Sequence, residues 1–420
     1  MKKPNALLYL LFFLLIYPFL KIAFRLKVDK SAYRVPDGPF VVVSNHESFM
    51  DFCLAMLTIY PRRLNAVAAQ KFFFFPPLNT LLPMMGCIPK NLFDADPRAI
   101  KDIFQVIKGG GNLLLFPEGR CSTHGEYMGM HVACGKLLKK LAVPVVACHI
   151  EGAYGCMPFW RPGIRCGRVR VTLSNLLTPA ELKDLSVTQV NEQIDSAIGT
   201  KSPGDGAFFS LWRARRLACG LENIIYLCPG CRQEFSLETK GNTIACTACG
   251  LSAQLGKDAH FIWARDGVVA DGGTFNPPET VAAWFKLQCG AEMDKISTDF
   301  EPISSQVSIR IGAGSGKGLM AAGVGTLSLD LRGWHYRGQF LGEETTLDFP
   351  LDTVPALPFD PADNFQIYGK GRFFAFCPTD NKKACVKYAV LGECMYWRFA
   401  QDVQMTPGSY PFTPLETTDI

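Results

Sequence analysis

Three short stretches hold the residue types and spacings that chemistry requires. In Ser44-Asn45-His46-Glu47-Ser48-Phe49-Met50-Asp51, a histidine is followed five positions later by an aspartate, directly after the apolar run Phe40-Val41-Val42-Val43. A histidine at a strand end, with a carboxylate able to fold back on its ring, reads as an oriented general base. A plain alternative is a solvated loop histidine. In Phe116-Pro117-Glu118-Gly119-Arg120, a carboxylate, a glycine and a guanidinium emerge together behind the apolar run Asn112–Leu115. Glycine there permits close backbone approach, and arginine offers a forked donor to phosphate. The third stretch pairs Cys228-Pro-Gly-Cys231 with Cys246-Thr-Ala-Cys249, the spacing of a four-thiolate zinc ribbon. It predicts structural zinc on Cys228, Cys231, Cys246 and Cys249, with redox or iron–sulfur chemistry as the alternatives. Few basic residues and no aromatic platform flank it, so nucleic acid is not the expected partner.

The elements that must carry these residues alternate as an α/β sheet does. Strands are expected at Phe40–Ser44, Leu64–Ala69, Asn112–Phe116, Val143–Ile150 and Val169–Leu173. Helices are expected at Asp51–Ile59, Asp96–Lys108, Gly135–Leu141 and Thr178–Ile198. Gly109-Gly110-Gly111 is a stop signal for the second of these helices. Gly199–Ala207 reads as a linker. Beyond the cysteines, Val307–Ile311, Gly325–Leu331, Gly333–Gly338 and Gly371–Cys377 alternate apolar and polar residues with glycine turns, as an antiparallel β domain does. Ile311–Gly318 ("IGAGSGKG") lacks the outer glycine and the Ser/Thr of a phosphate-binding P-loop and reads as a hairpin.

Composition bounds the setting. The chain of 420 residues is 48% apolar and 19% charged, with 31 Phe and a formal charge of +5, which suits an anionic membrane surface or phosphorylated substrates. Its 16 cysteines are mostly scattered singly, as in a reducing cytosol rather than a secreted scaffold. The uncharged run Ala6–Leu20 would span roughly 22 Å as a helix, short of a ~30 Å hydrocarbon core. Lys2 and Lys3 precede it, and Lys21, Arg25 and Lys27 follow. A monotopic anchor with cations at the headgroups fits best, a single pass being the alternative; either gives membrane association from the cytoplasmic face. The Phe-rich stretch 71–89 is ordinary core or an apolar floor against lipid.

The order strand–NHxxxxD, strand–FPEG and then Val143-Pro144-Val145-Val146 resembles the glycerophospholipid O-acyltransferases, the 1-acylglycerol-3-phosphate acyltransferases among them. The dense match covers 40–150. The resemblance implies an acyltransferase sheet flanked by helices, and transfer of an acyl group from acyl-CoA or acyl-carrier protein to a lysophospholipid hydroxyl, giving phosphatidic acid. His46 would be the base and Asp51 its orienting carboxylate, with no acyl-enzyme. Asn45 would support the site. Glu118 and Gly119 would shape the phosphate end of the acceptor, and Val143 and Pro144 would lie near the donor. Two positions depart from the family pattern. Cys121 stands where arginine is common, with Arg120 one residue earlier, and Leu92 ends the second motif, "GCIPKNL" (86–92), with its cation displaced to Lys90. Both cations are expected to serve the acceptor phosphate. A hydrolase using the same base and a non-catalytic lipid-binding adaptor are the rival functions. The C-terminal segment loosely resembles a pleckstrin-homology or GRAM-type barrel. The domains expected are thus an anchor at 1–27, an acyltransferase domain at 28–206, a zinc ribbon at 222–256 and a β-rich domain at 300–400.

Overall fold

In the computed structural model, which describes residues 3–161, 163–199, 211–264, 277–298, 300–400 and 403–406, the chain divides into two units. The first comprises Met1–Ala214, Gly314–Gly318 and Gln404–Ser409, and the second Arg215–Ala313, Leu319–Val403 and Tyr410–Ile420. The expected linker lies, from 200 to 207, outside the described residues.

The first unit runs α1 (Ala6–Ala23), β1 (Lys27–Ala32), β2 (Val41–Ser44), α2 (Asp51–Thr58), β3 (Leu64–Ala69), α3 (Leu78–Met84), β4 (Ile88–Lys90), α4 (Pro97–Lys108) and β5 (Asn112–Leu115). It continues with α5 (Ala133–Leu141), β6 (Val145–Glu151), α6 (Ala153–Cys156), β7 (Cys166–Gly167), β8 (Arg170–Leu177), α7 (Pro179–Asp184), α8 (Val187–Ile198) and β9 (Leu211–Arg213). Seven strands form one sheet in the order β1-β8-β6-β2-β5-β3-β4. Only the β6–β8 join is antiparallel. At its centre β2 (VVVS) and β5 (NLLL) are buried along their whole length, the continuous apolar pattern that a parallel sheet covered on both faces requires. Val41 pairs with both Leu113 and Val145. Against this centre pack Ile103 of α4, Leu138 of α5, and Val190 and Ile194 of α8.

Local sequence explains most helix ends. The Asp96 carboxylate caps α4 by accepting from the Ala99 N–H at 3.0 Å, Pro97 opens the helix, and Gly109 closes it. The single helix expected over Thr178–Ile198 is instead two. Thr178 with Glu181 and Ser186 with Gln189 each form a capping box, and the second box restarts the chain as a new helix.

Helix α1 packs one side on this unit. Tyr9 and Leu20 are fully buried, the Tyr9 hydroxyl lies 3.3 Å from the Leu64 N–H, and Phe13 stacks on Tyr60 with ring centroids 4.3 Å apart. Leu7, Leu11, Leu14, Leu15, Phe19 and Ile22 stay exposed. The segment has the length and mean hydropathy (2.2) of a membrane span. In the Phe-rich stretch Phe73 is core, whereas Phe75, Leu81 and Met84 are exposed, so ordinary core accounts for only part of it.

The second unit contains β10 (Leu237–Lys240), β11 (Thr243–Cys246), β12 (Ser252–Leu255) and β13 (Phe261–Trp263) in a four-stranded antiparallel sheet, then α9 (Val281–Thr298). There follow β14 (Ile303–Gly312), β15 (Leu319–Asp330), β16 (Gly333–Phe340), β17 (Glu343–Pro350), β18 (Phe359–Asp360), β19 (Asn364–Gly369), β20 (Arg372–Pro378) and α10 (Ala384–Phe399). These last strands form an antiparallel sheet in the order β17-β16-β15-β14-β20-β19-β18. Gly392 lets α10 lie close to it, since a Cβ there would stand 2.6 Å from the Trp334 ring. The cysteine segment and the β-rich segment, read from sequence as separate, share this unit through α9. Tyr226 donates its N–H to Gln288 at 3.1 Å and its hydroxyl to Glu292 at 3.0 Å, and the Trp284 indole donates to the Leu227 carbonyl at 2.9 Å. The glycine-rich 312–318 stretch is the β14–β15 turn, with Gly314, Gly316 and Gly318 all at positive φ.

Candidate active site

Strand β2 stops at Ser44 and Asn45 locks its end. Asn45 Nδ2 donates to the Ile150 carbonyl at 2.7 Å and its Oδ1 accepts from the Ile150 N–H at 2.8 Å, which ties the C-terminal ends of β2 and β6 together. His46 follows at that edge. Its Nδ1 lies 3.0 Å from Asp51 Oδ2, which also accepts from the Ser48 N–H at 2.7 Å. The His46 ring stacks on Phe116 with centroids 4.3 Å apart. Asp51 is fully buried and the His46 side chain is 19% exposed. Burial raises the Asp51 carboxyl above its usual range, while the hydrogen bond and charge of His46 oppose the rise. Accepting from Nδ1–H fixes the tautomer and leaves the lone pair on Nε2.

Glu118 reaches the same place from β5. Both its oxygens are engaged: Oε1 accepts from the His46 N–H at 2.6 Å and Oε2 from the Met128 N–H at 2.9 Å. The Ser122 N–H adds a bond to the His46 carbonyl at 2.7 Å. Glu118 thus braces two loops, joining the His46 backbone to the Met128 backbone. Burial pushes its carboxyl up to about 8, against the pull of the Met128 and His46 amides. Gly119, at φ +70, lies under the Phe93 ring, 3.2 Å from where a Cβ would stand.

The displaced cations have different surroundings. Lys90 Nζ donates to the carbonyls of Asn91 at 2.8 Å and Asp94 at 3.3 Å, and burial lowers its pKa despite Asp96 and Asp94. Arg120 is half-buried beside Glu118. Cys121, in the place of the family's arginine, is buried. Val143 and Pro144 are not brought to His46. They precede β6, whose start pairs with Val41 at the start of β2 (the Val41 N–H donates to the Pro144 carbonyl at 2.9 Å). Parallel strands place their N-terminal ends on one edge of the sheet, and His46 is on the other.

Other residues complete the wall. Residues 121–130 are buried throughout. Tyr154 takes its hydroxyl to the Thr123 carbonyl at 2.9 Å and its N–H to Glu47 Oε2 at 3.3 Å. Gly125, at φ +93, leaves room for the Tyr154 ring, which a Cβ would meet at 2.6 Å. The glycines framing 125–129 were the available signal for this wall; neither Glu47 nor Tyr154 carries one.

In the second unit the four cysteines converge. Their sulfur atoms all lie within 4.8 Å of one another. Cys228 and Cys249 are 3.7 Å apart, as are Cys231 and Cys246. A tetrahedral ion with bonds of about 2.3 Å sets its sulfurs about 3.8 Å apart, so this donor set fits zinc. The knuckles close with Arg232 N–H to the Cys228 carbonyl at 3.1 Å and Gly250 N–H to the Cys246 carbonyl at 3.0 Å.

Curated proteins with similar sequences include the chloroplastic 1-acyl-sn-glycerol-3-phosphate acyltransferase of Brassica napus, 31% identical over 33% of this chain and 40% of its own length. The chloroplastic enzyme of the same description from Arabidopsis thaliana is 30% identical over 38% of this chain and 44% of its own. The chain thus spans less than half the length of these two relatives. Among solved structures, the 1-acyl-sn-glycerophosphate acyltransferase of Thermotoga maritima is 22% identical, with 41% of this chain and 68% of that one covered and a TM-score of 0.37. Residues 25–151, the segment holding His46, Asp51 and Glu118, match the acyltransferase family model.

Proposed function

We propose that the protein is an O-acyltransferase that moves a fatty acyl group from acyl-CoA or acyl-carrier protein to the hydroxyl of 1-acylglycerol-3-phosphate or a related lysophospholipid, giving phosphatidic acid. The observation that carries this reading is the 3.0 Å His46–Asp51 pair at the sheet edge, within the segment that matches the family model. His46 Nε2 takes the acceptor's hydroxyl proton as its oxygen attacks the thioester carbonyl. The tetrahedral adduct collapses, the C–S bond breaks, and the proton passes from the imidazolium to the departing thiolate. Asp51 orients the ring and stabilises the imidazolium. Lys90 and Arg120 are the cations proposed for the acceptor phosphate.

The apolar outer face of α1 supports membrane association with the helix lying in one leaflet, because its other face is committed to the domain; the cytoplasmic side of that membrane is the side proposed. The sulfur geometry supports structural zinc on Cys228, Cys231, Cys246 and Cys249. The strand order of the C-terminal sheet and its closing helix support a pleckstrin-homology-like module.

Purified protein given labelled acyl-CoA and a panel of lysophospholipids is expected to form labelled phosphatidic acid. His46→Ala is expected to lose about 10²–10⁴-fold in rate with its fold retained by circular dichroism. Labelled free fatty acid formed without an acceptor would replace transfer with hydrolysis, and wild-type turnover in His46→Ala would remove the base.

A further inference from the structure

Residues 404–406 pair with the loop that follows Glu118. The Val132 N–H donates to the Gln404 carbonyl at 2.9 Å, and the Thr406 N–H donates to the Met130 carbonyl at 2.8 Å. Between them Met405 stands opposite His131 in an antiparallel bridge and is buried. The Thr406 hydroxyl accepts from the Met130 N–H at 2.9 Å and directs its own proton to Asp195 Oδ1 at 3.4 Å. Asp195, on α8, also accepts from the Tyr127 hydroxyl at 2.5 Å. Four residues earlier on α8, Asn191 donates to the Val132 carbonyl at 3.0 Å and accepts from the Gly135 N–H at 2.9 Å. The stretch 127–135 is thereby held by α8 and by residues 404–406.

What this stretch holds is the candidate site. Its Met128 N–H ends on Glu118, whose other oxygen takes the His46 N–H. Its His131 lies close enough to Lys90 for that cation, after burial, to depress the imidazole's pKa. Backbone hydrogen bonds from a distant part of the chain give a glycine-framed loop the order that its own sequence does not supply.

We infer that Gln404-Met405-Thr406 is a strap, supplied in cis, that positions the 128–132 loop for the acceptor, with Thr406 a positioning residue that joins the loop's backbone to Asp195. The inference rests on the acyltransferase reading of this site. The strap touches no reacting group. It acts through Met128 and Glu118 on the His46 amide, and beside Lys90 on the proposed phosphate end. A loop left unstrapped has to be ordered each time acceptor binds, and that cost appears in acceptor affinity.

The test uses the full chain as wild type, Thr406→Val and Thr406→Ser. Valine keeps the shape and removes the hydroxyl; serine restores it. Amide hydrogen exchange over 126–135 is expected to quicken about fivefold in Thr406→Val, the weight of one hydrogen bond, and to return toward wild type in Thr406→Ser. Exchange over β2 and β5 is expected to stay unchanged. In the transfer assay the acceptor KM is expected to rise about three- to tenfold in Thr406→Val with the donor KM unmoved. Wild-type exchange over 126–135 in the valine variant would overturn the strap, as would equal rises in both KM values. Should wild type transfer no acyl group to any acceptor, the acyltransferase reading fails, and the exchange measurement alone decides the strap.

Discussion

Glu118 is a residue whose environment pulls two ways. Two backbone N–H groups favour its ionised form, while complete burial disfavours it, and burial prevails with a carboxyl pushed up to about 8. In the unfolded chain a glutamate titrates near about 4.3. Between these two values the folded chain binds the extra proton, so stability is greatest below the lower value and declines as pH rises through the window toward about 8. Glu118→Gln, neutral at every pH with one accepting oxygen retained, is expected to flatten that decline. Thermal midpoints of both proteins at intervals from pH 5 to 9 check this, and parallel curves would show that Glu118 does not titrate in the window.

At the scale of elements, the four-cysteine segment is coupled to its neighbours. Glu234 bonds Lys295 of α9 at 2.8 Å and Lys387 of α10 at 2.5 Å, and Tyr226 and Leu227 reach three residues of α9. A segment this small cannot hold itself together on buried apolar surface, so a metal there contributes folding energy outright. Metal analysis is expected to give about one zinc per chain. Chelation, or Cys246→Ser, is expected to loosen α9 and α10 as well as residues 222–256, seen as faster proteolysis across 281–298 and 384–399. Proteolysis confined to 222–256 would show that the α9 and α10 contacts carry no stability. Transfer in short assays is expected to survive, since His46 and Asp51 belong to the other unit.

For the molecule as a whole, α1 is a structural helix as well as the proposed anchor. Removing 1–27 would strip Tyr9, Leu20 and Phe24 from the core, so a deletion would confound lost binding with lost folding. The outer stripe can be tested without that damage. Leu15 is 72% exposed and Ile22 74%, and each is worth about 1.5–3 kcal/mol when moved from water to lipid. Leu15→Lys with Ile22→Lys is expected to move the protein from anionic vesicles to the soluble fraction in flotation, with the thermal midpoint unchanged. Undiminished flotation would assign membrane binding to another surface.

The sequence by itself determined what local rules control. Fully apolar runs marked β2 and β5, Asp96, Pro97 and Gly109 bounded α4, and polar residues at strand ends marked His46, Asp51 and Glu118, because strand burial, capping and turn chemistry are read from neighbouring residues. The four cysteines were legible for the same reason, their ligand spacing being short. Tertiary structure alone decided the rest. Strand direction put Val143 and Pro144 on the edge away from His46. Two backbone N–H groups, of His46 and of Met128, met on Glu118. Pairings 105 residues apart joined Asn45 to Ile150, and one 276 residues apart joined Met130 to Thr406. No composition or periodicity encodes such pairs, because each partner is an ordinary polar group until the fold brings the other within hydrogen-bond reach and removes the water between them.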